Sequence, residues 1–276
     1  MKAIVYTEYG APEDVLQLKE VETPAPKNNE VLVKVQAASV NQGDAYIIRG
    51  EPFLFRPTYG LPGPKHTIPG GDVAGRIEGV GRDAKQFQPG DEVYGDIGGC
   101  GFGALAEYVA APESALVLKP AGTTFEGAAA VSQAAIVALQ GLRDKGQIQP
   151  GQKVLINGAS GGVGTFAVQI AKSFGANVTG VCSTRNLDLV RSIGADRVID
   201  YTQEDFGQGG PQYDLSLISR AIDRFRKSCA RYVPRGLLYH AQSPRLLCSW
   251  GHSFRCSEVR AWFNCPTVQT PRIWPI

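Results

Sequence analysis

Residues 153–164 leave this chain few folds to choose from. Lys153–Asn157 is a short apolar run, and Gly158-Ala159-Ser160-Gly161-Gly162-Val163-Gly164 follows it, passing into a helix expected over Val163–Phe174 and ended by Gly175. In this register the small residues fall at Ala159-x-Gly161-x-x-Gly164. Such residues are required at a tight turn, where backbone closes on a pyrophosphate, and where helix packs on strand. Free N–H groups at the helix start then offer an anion cradle. Ala159, Ser160, Gly161, Gly162, Val163 and Gly164 are therefore candidates to hold the phosphates of a dinucleotide. A glycine triplet alone is weak; set between strand and helix it is specific.

The alternation continues downstream. Asn177–Cys182 reads as a second strand, Asn186–Ile193 as a helix ended by Gly194, and Arg197–Ile199 as a third strand. A β-α-β-α-β run implies a parallel sheet wound by right-handed crossovers, the Rossmann type of α/β fold. Upstream, Thr123 with Glu126 predicts a capping box, and an alanine-rich helix runs toward Arg143 and Lys145 before Gly146 stops it. Residues 1–122 have a different texture. Glu30–Ala38 alternates, with Val31, Val33 and Val35 on one face, and further short strands are separated by Gly and Pro, which predicts a compact β-rich domain.

The end of the second strand bears on the choice of dinucleotide. About 20 residues after the glycine turn, a site for NAD carries an acid for the ribose 2′-hydroxyl. Here the chain reads Cys182-Ser183-Thr184-Arg185. Ser183 and Arg185 can instead bind a 2′-phosphate through charge-assisted hydrogen bonds, so NADPH is the expected cofactor.

The composition breaks near residue 214. Residues 215–276 hold nine arginines and Lys227 against Asp223 and Glu258, a net +8; the whole chain carries +2, so residues 1–214 carry −6. The same segment has all three tryptophans and four of the six cysteines. Tyr213-Asp214-Leu215 starts a strand, and Ser216-Leu217-Ile218-Ser219-Arg220 is read as abandoning it. The expected organisation is a β-rich domain over 1–122, an incomplete Rossmann domain over 123–214, and an unrelated basic tail over 215–276, out of frame or disordered. No recognisable reading helix or finger accompanies the arginines, which argues against nucleic acid as a partner. Cys248, His252 and Cys256 share one helical face, but Gly251 and the neighbouring serines make that helix poor, so no metal site is expected there. No run of about 18 apolar residues predicts a membrane span. The start, MKAIVYTEYG, lacks the apolar core of a secretory signal, and a cytoplasmic location is expected.

Gly151-Gln152, Leu155, Ala159-Ser160-Gly161-Gly162, Gly164, Gln169 and Lys172 together satisfy the pattern of the quinone oxidoreductase and zeta-crystallin group, and residues 1 to about 214 resemble that zinc-free branch of the medium-chain dehydrogenases. The resemblance implies a GroES-like first domain and a hydride transfer from NADPH to a quinone or an α,β-unsaturated carbonyl. It implies a role for Tyr201, after Gly194-Ala195-Asp196, in holding the 2′-phosphate. It also implies a substrate site at Asn41, Asp44 and Tyr46, in which Asn41 and Tyr46 donate toward the substrate oxygen and Asp44 orients its neighbours. Phe53, Phe55 and Tyr59 are placed to form an apolar lip or simply to plug the domain.

Zinc-dependent members of the superfamily bind their metal through a Cys, a Gly-His-Glu segment and a second Cys. Here those places read Asn41, Gly70-Gly71-Asp72 and the stretch around Ala134-Ala135, so no metal is expected; tight zinc sites need three or four N or S ligands. Relatives are commonly homodimers, but the part that joins them is the part replaced here. A shortened sheet is expected to cost activity, so the lineage is better defined than the turnover. Two other functions fit the same residues: an enoyl-thioester reductase, and an NADPH-binding protein without catalysis.

Overall fold

The computed structural model describes residues 1–204, 213–218 and 238–240. Two compact units emerge, Met1–Gln133 and a second beginning at Ala134.

In the first unit, β1 (Lys2–Val5) and β2 (Gln17–Glu20) form an antiparallel pair around a one-turn helix, α1 (Pro12–Val15). Next come β3 (Glu30–Ser39), α2 (Gln42–Arg49), α3 (Arg56–Tyr59), β4 (Asp72–Val80), β5 (Glu92–Asp96), β6 (Tyr108–Pro112) and β7 (Leu116–Leu118). The five longer-range strands pair antiparallel in the order β6-β3-β4-β5-β7. Alternation along β3 buries Val31 and Val33, which pack with Val73, Ile77, Val93 and Val109. Each such side chain contributes about 1.5–3 kcal/mol by leaving water. The register places Ser39 opposite Asp72, and Asp72 opposite Asp96, so three polar residues stand in one row across β3, β4 and β5.

The alanine-rich helix, α4, spans Phe125–Leu139 and continues as a π-helical turn over Gln140–Lys145, closed by Gly146. Its cap differs from the expected box. Thr124, not Thr123, caps the helix, its Oγ1 accepting the Gly127 N–H at 3.1 Å. The helix starts one residue late for Thr123 to reach its free N–H groups. Residues Phe125–Lys145 are long and apolar enough to cross a membrane by length and composition, yet 67% of the most apolar stretch is buried within the protein, as in a core helix.

The second unit holds β8 (Lys153–Asn157), α5 (Gly162–Ser173), β9 (Asn177–Cys182), α6 (Leu187–Ser192), β10 (Arg197–Asp200), β11 (Leu215–Ile218) and β12 (Leu238–His240). The sheet is wholly parallel, in the order β10-β9-β8-β11-β12. Strand order reverses between β8 and β11, the switch point at which such sheets bind ligands. This corrects the expectation that the sheet ends at its third strand. Leu215–Ile218 pairs along the whole of Val154–Asn157, with Leu215 and Leu217 buried. Ser216 masks the strand in the sequence: its hydroxyl is buried with no hydrogen-bond partner among the described residues. The remainder of the basic tail, including the Cys248, His252 and Cys256 set, lies outside the described residues.

Candidate functional site

In the first unit the chemistry gathers at the N-terminus of α2. Asn41 is its N-cap, and the Asp44 carboxylate accepts the Asn41 backbone N–H at 2.7 Å, the returning half of a capping box. Asp44 is buried; burial pushes its carboxyl above the ordinary range, while neighbouring backbone N–H groups, that of Asn41 first, oppose the rise. The Asn41 amide turns toward β4, where Nδ2 donates to Asp72 Oδ2 at 2.8 Å. Ser39 Oγ donates to the same oxygen at 2.7 Å, and the Gln133 N–H donates to Oδ1 at 3.0 Å.

Asp72 is completely buried, and a second acid, Asp96, faces it across the ladder. Burial first, and the Asp96 charge second, push the Asp72 carboxyl up to about 8, against the hydrogen bonds from Ser39 and Asn41. Asp96 is raised as well, mainly by burial, while the Gly98 N–H and the Gln133 side chain hold its charged form. Near neutral pH the pair keeps a proton. Asn41, Asp44 and Asp72 are thus one hydrogen-bonded set. Tyr46 is not part of it: two residues beyond Asp44 on a helix, it points roughly the opposite way, and its ring is 39% exposed.

Ser39, Asp96 and Gln133 escaped the sequence reading, and Asp72 entered it only as a lost zinc ligand. The available signal was an acid opening the apolar strand Asp72-Val73-Ala74. Zinc does not fit this set. No thiol or imidazole takes part, and the oxygens of Asp72 are engaged by Ser39, Asn41 and Gln133. Phe53 and Leu54 are exposed, and the Arg56 guanidinium lies 5.0 Å from the centre of the Phe53 ring.

In the second unit, β8 ends at Asn157 and Gly158 turns the chain at φ 77°, a left-handed conformation suited to glycine. Gly161 caps α5 and Gly162 opens it. A Cβ on Gly164 would lie 2.0 Å from the Gly158 carbonyl oxygen, so the close helix–strand approach admits no side chain there. A Cβ on Gly162 would meet nothing within 4 Å, leaving open space before the helix N–H groups. Ala159 is buried beneath the turn, and Ser160 and Val163 are half-buried at its surface. These features fit a dinucleotide phosphate.

At the end of β9 the residues sort themselves. Thr184 donates its hydroxyl to Asp200 at the end of β10, and Thr202 donates to the other oxygen at 2.7 Å. The Thr184 bond, foremost among the causes, holds the Asp200 carboxyl below its usual range. Thr184 is therefore occupied, whereas Arg185 is exposed and forms no ion pair with another described residue. The ladder pairs Asp200 with Cys182, so Ser183 and Tyr201 leave the sheet side by side, with the Tyr201 ring 44% exposed.

A β-rich domain joined in sequence to a parallel sheet with a glycine phosphate turn defines a medium-chain dehydrogenase/reductase. Residues 27–121 match the alcohol dehydrogenase GroES-like domain, and residues 162–210 match the zinc-binding dehydrogenase family. A 2-methylene-furan-3-one reductase from Solanum lycopersicum is 42% identical over 224 residues, 78% of this chain and 56% of the relative. A chloroplastic quinone-oxidoreductase homolog from Spinacia oleracea is 41% identical, covering 73% and 61%. A chloroplastic NADPH-dependent alkenal/one oxidoreductase from Arabidopsis thaliana is 40% identical, covering 78% and 56%. Among solved structures, the quinone oxidoreductase from Coxiella burnetii is 32% identical with a TM-score of 0.77, covering 86% of this chain and 74% of that one. The Escherichia coli quinone oxidoreductase complexed with NADPH is 28% identical with a TM-score of 0.75, covering 86% and 72%. The chain belongs to the quinone oxidoreductase family of medium-chain reductases. It spans little more than half the length of the curated relatives.

The relatives overturn the expected cytoplasmic location, because the spinach and Arabidopsis proteins are chloroplastic and point to the plastid. Organelle transit segments are amphipathic and Arg- and Ser-rich, so hydropathy does not separate them from cytoplasmic starts.

Proposed function

We propose that this chain is an NADPH-dependent, zinc-independent reductase of a quinone or α,β-unsaturated carbonyl. One observation carries the reading: the Asn41 amide is clamped to Asp72 through a single Nδ2 hydrogen bond, while its backbone is held by Asp44. An asparagine amide has two N–H donors, so a second remains for a substrate oxygen. NADPH, held by Ala159 to Gly164 with Ser183, Arg185 and Tyr201 at its 2′-phosphate, supplies the hydride. As the acceptor gains that hydride, negative charge develops on its oxygen, and a fixed N–H stabilises it without reorganisation. The proton kept by Asp72 and Asp96 matters for the same reason, since a fully ionised trio of carboxylates beside Asn41 would oppose an oxyanion. Tyr46, exposed on the outer side of α2, is a donor that meets only a substrate entering from solvent. The same reading takes residues 1–122 as the substrate domain and 123–214 as the core of the cofactor domain, with a small molecule as partner and neither nucleic acid nor membrane.

The test is NADPH consumption by the purified chain with a quinone, an alkenone and an enoyl thioester in parallel. Consumption with quinone or alkenone, cut about a hundredfold by Asn41→Ala, is the expected result; losing one oxyanion donor costs about 10²–10³. Turnover confined to the thioester supports an enoyl reductase instead. NADPH binding without consumption in any arm supports a non-catalytic role.

A further inference from the structure

Asn186 stands at the N-cap of α6, yet its side chain does not cap the helix. Asparagine is among the best capping residues, and a cap contributes about 1 kcal/mol. Here that contribution is given up. The Asn186 amide nitrogen reaches away from its own helix and donates to Ser160 Oγ at 3.1 Å and to Ser183 Oγ at 3.3 Å. Ser160 lies in the glycine turn after β8, and Ser183 follows β9, so one side chain ties together two loops 23 positions apart in sequence. Asn186 is itself half-buried between them.

The direction of these bonds carries the argument. The amide nitrogen has two hydrogens and no lone pair to offer, so both serine oxygens act as acceptors toward it. A hydroxyl that accepts still has its own hydrogen to give. Both serines therefore keep an O–H donor to aim elsewhere, and both sit where the cofactor reading places phosphate: Ser160 at the pyrophosphate turn, Ser183 at the 2′-phosphate. Arg185, in the same short helical turn as Asn186, adds a guanidinium with no ion-pair partner among the described residues.

We infer that Asn186 is a positioning residue for NADPH, which sets the Ser160 and Ser183 hydroxyls as donors and couples the pyrophosphate turn to the 2′-phosphate loop. This rests on the NADPH reading above and deepens it. Asn186 touches no phosphate; it acts through the two serines. The 2′-phosphate is the group that distinguishes NADPH from NADH, so loss of the bridge weakens NADPH more than NADH.

Asn186→Asp is the decisive variant. Aspartate caps helices as well as asparagine but cannot donate when ionised. The two serines would then donate inward to the new carboxylate, and their hydroxyls would be lost to the phosphates. Dissociation constants for NADPH and NADH, measured by titration calorimetry on the full chain, give the readout. Asn186→Asp is expected to weaken NADPH by at least tenfold and NADH by less, with the melting temperature held. In a cycle with Ser183→Ala, the second substitution should then add little, because the hydroxyl is already misdirected. If Asn186→Asp binds NADPH as the parent does, or weakens both nucleotides equally, the bridge has no role in recognition and the inference is overturned. A parent chain that binds neither nucleotide overturns the cofactor reading itself, and the inference with it.

Discussion

Asp72 and Asp96 are direct partners in the antiparallel ladder between β4 and β5, a buried and a half-buried acid facing each other with no cation between them among the described residues. Like charges opposite one another destabilise a sheet, and a retained proton is the least costly way to tolerate them.

A stability profile follows from that proton. Asp72 binds it more tightly in the fold, where its carboxyl is pushed up to about 8, than in the unfolded chain, where the ordinary value is 3.8. A carboxyl raised on folding contributes stability that is full below about pH 4 and is lost as pH rises toward 8. Over that window the chain should lose on the order of a few kcal/mol of stability from this group. Urea denaturation of the parent and of Asp72→Asn at pH 5, 6, 7 and 8 checks it. The variant should show the flatter pH dependence; parallel profiles would contradict a retained proton.

Asn41→Asp should harm the fold more than Asn41→Ala. The new carboxylate would lie about where Nδ2 now meets Asp72 at 2.8 Å, and close to Asp44. Alanine removes the hydrogen bond to Asp72, about 1 kcal/mol, while aspartate adds a half-buried like charge against the buried Asp72, costing about 3 kcal/mol. Denaturation midpoints at pH 8 order the two, and equal midpoints would be the contrary outcome.

Gly164→Ala tests the glycine turn. Its methyl would press against the Gly158 carbonyl oxygen and lie 2.8 Å from the Ala159 Cα, both backbone atoms that a side-chain rotation cannot move. NADPH binding should fall below detection and stability by about 2 kcal/mol or more. Fluorescence titration with a thermal melt reads both, and unchanged binding would mean the turn does not approach phosphate.

Arg185→Glu should invert the cofactor preference. The exposed guanidinium is replaced by a carboxylate, which repels a 2′-phosphate and can accept from a ribose hydroxyl. A loss of NADPH affinity of about tenfold or more, with NADH retained, is the expected pattern in competitive titrations.

The cofactor half was largely legible in the sequence because backbone geometry dictates residue type there. Gly158 needs a left-handed φ, Gly164 has no room for a Cβ, and β8 and β9 are largely buried and mostly apolar, with Val154, Leu155, Ile156, Val178 and Val181 in the core. Their spans, Lys153–Asn157 and Asn177–Cys182, agree with the reading residue for residue. The substrate half was legible only in part. Asn41 and Asp44 are three positions apart and share a cap, a local relation. Their link to Asp72, Asp96 and Gln133 depends on strand register and on a helix from far along the chain, which no local pattern encodes. Strand Leu215–Ile218 was misjudged because four residues with a central serine are too few to show a period. Asn186 was missed for the opposite reason, since its sequence position advertises an ordinary helix cap.

The most direct test of the account is a thermal melt of the purified chain with NADPH, with NADH, and with neither. Saturation at about 100 times the dissociation constant adds about 2.7 kcal/mol to a folded protein that binds its ligand. A cooperative transition raised by several degrees with NADPH and far less with NADH is the predicted result. A transition indifferent to both nucleotides would contradict the assignment of residues 158–164, 183, 185 and 201 to an NADPH site, and with it the proposed reductase.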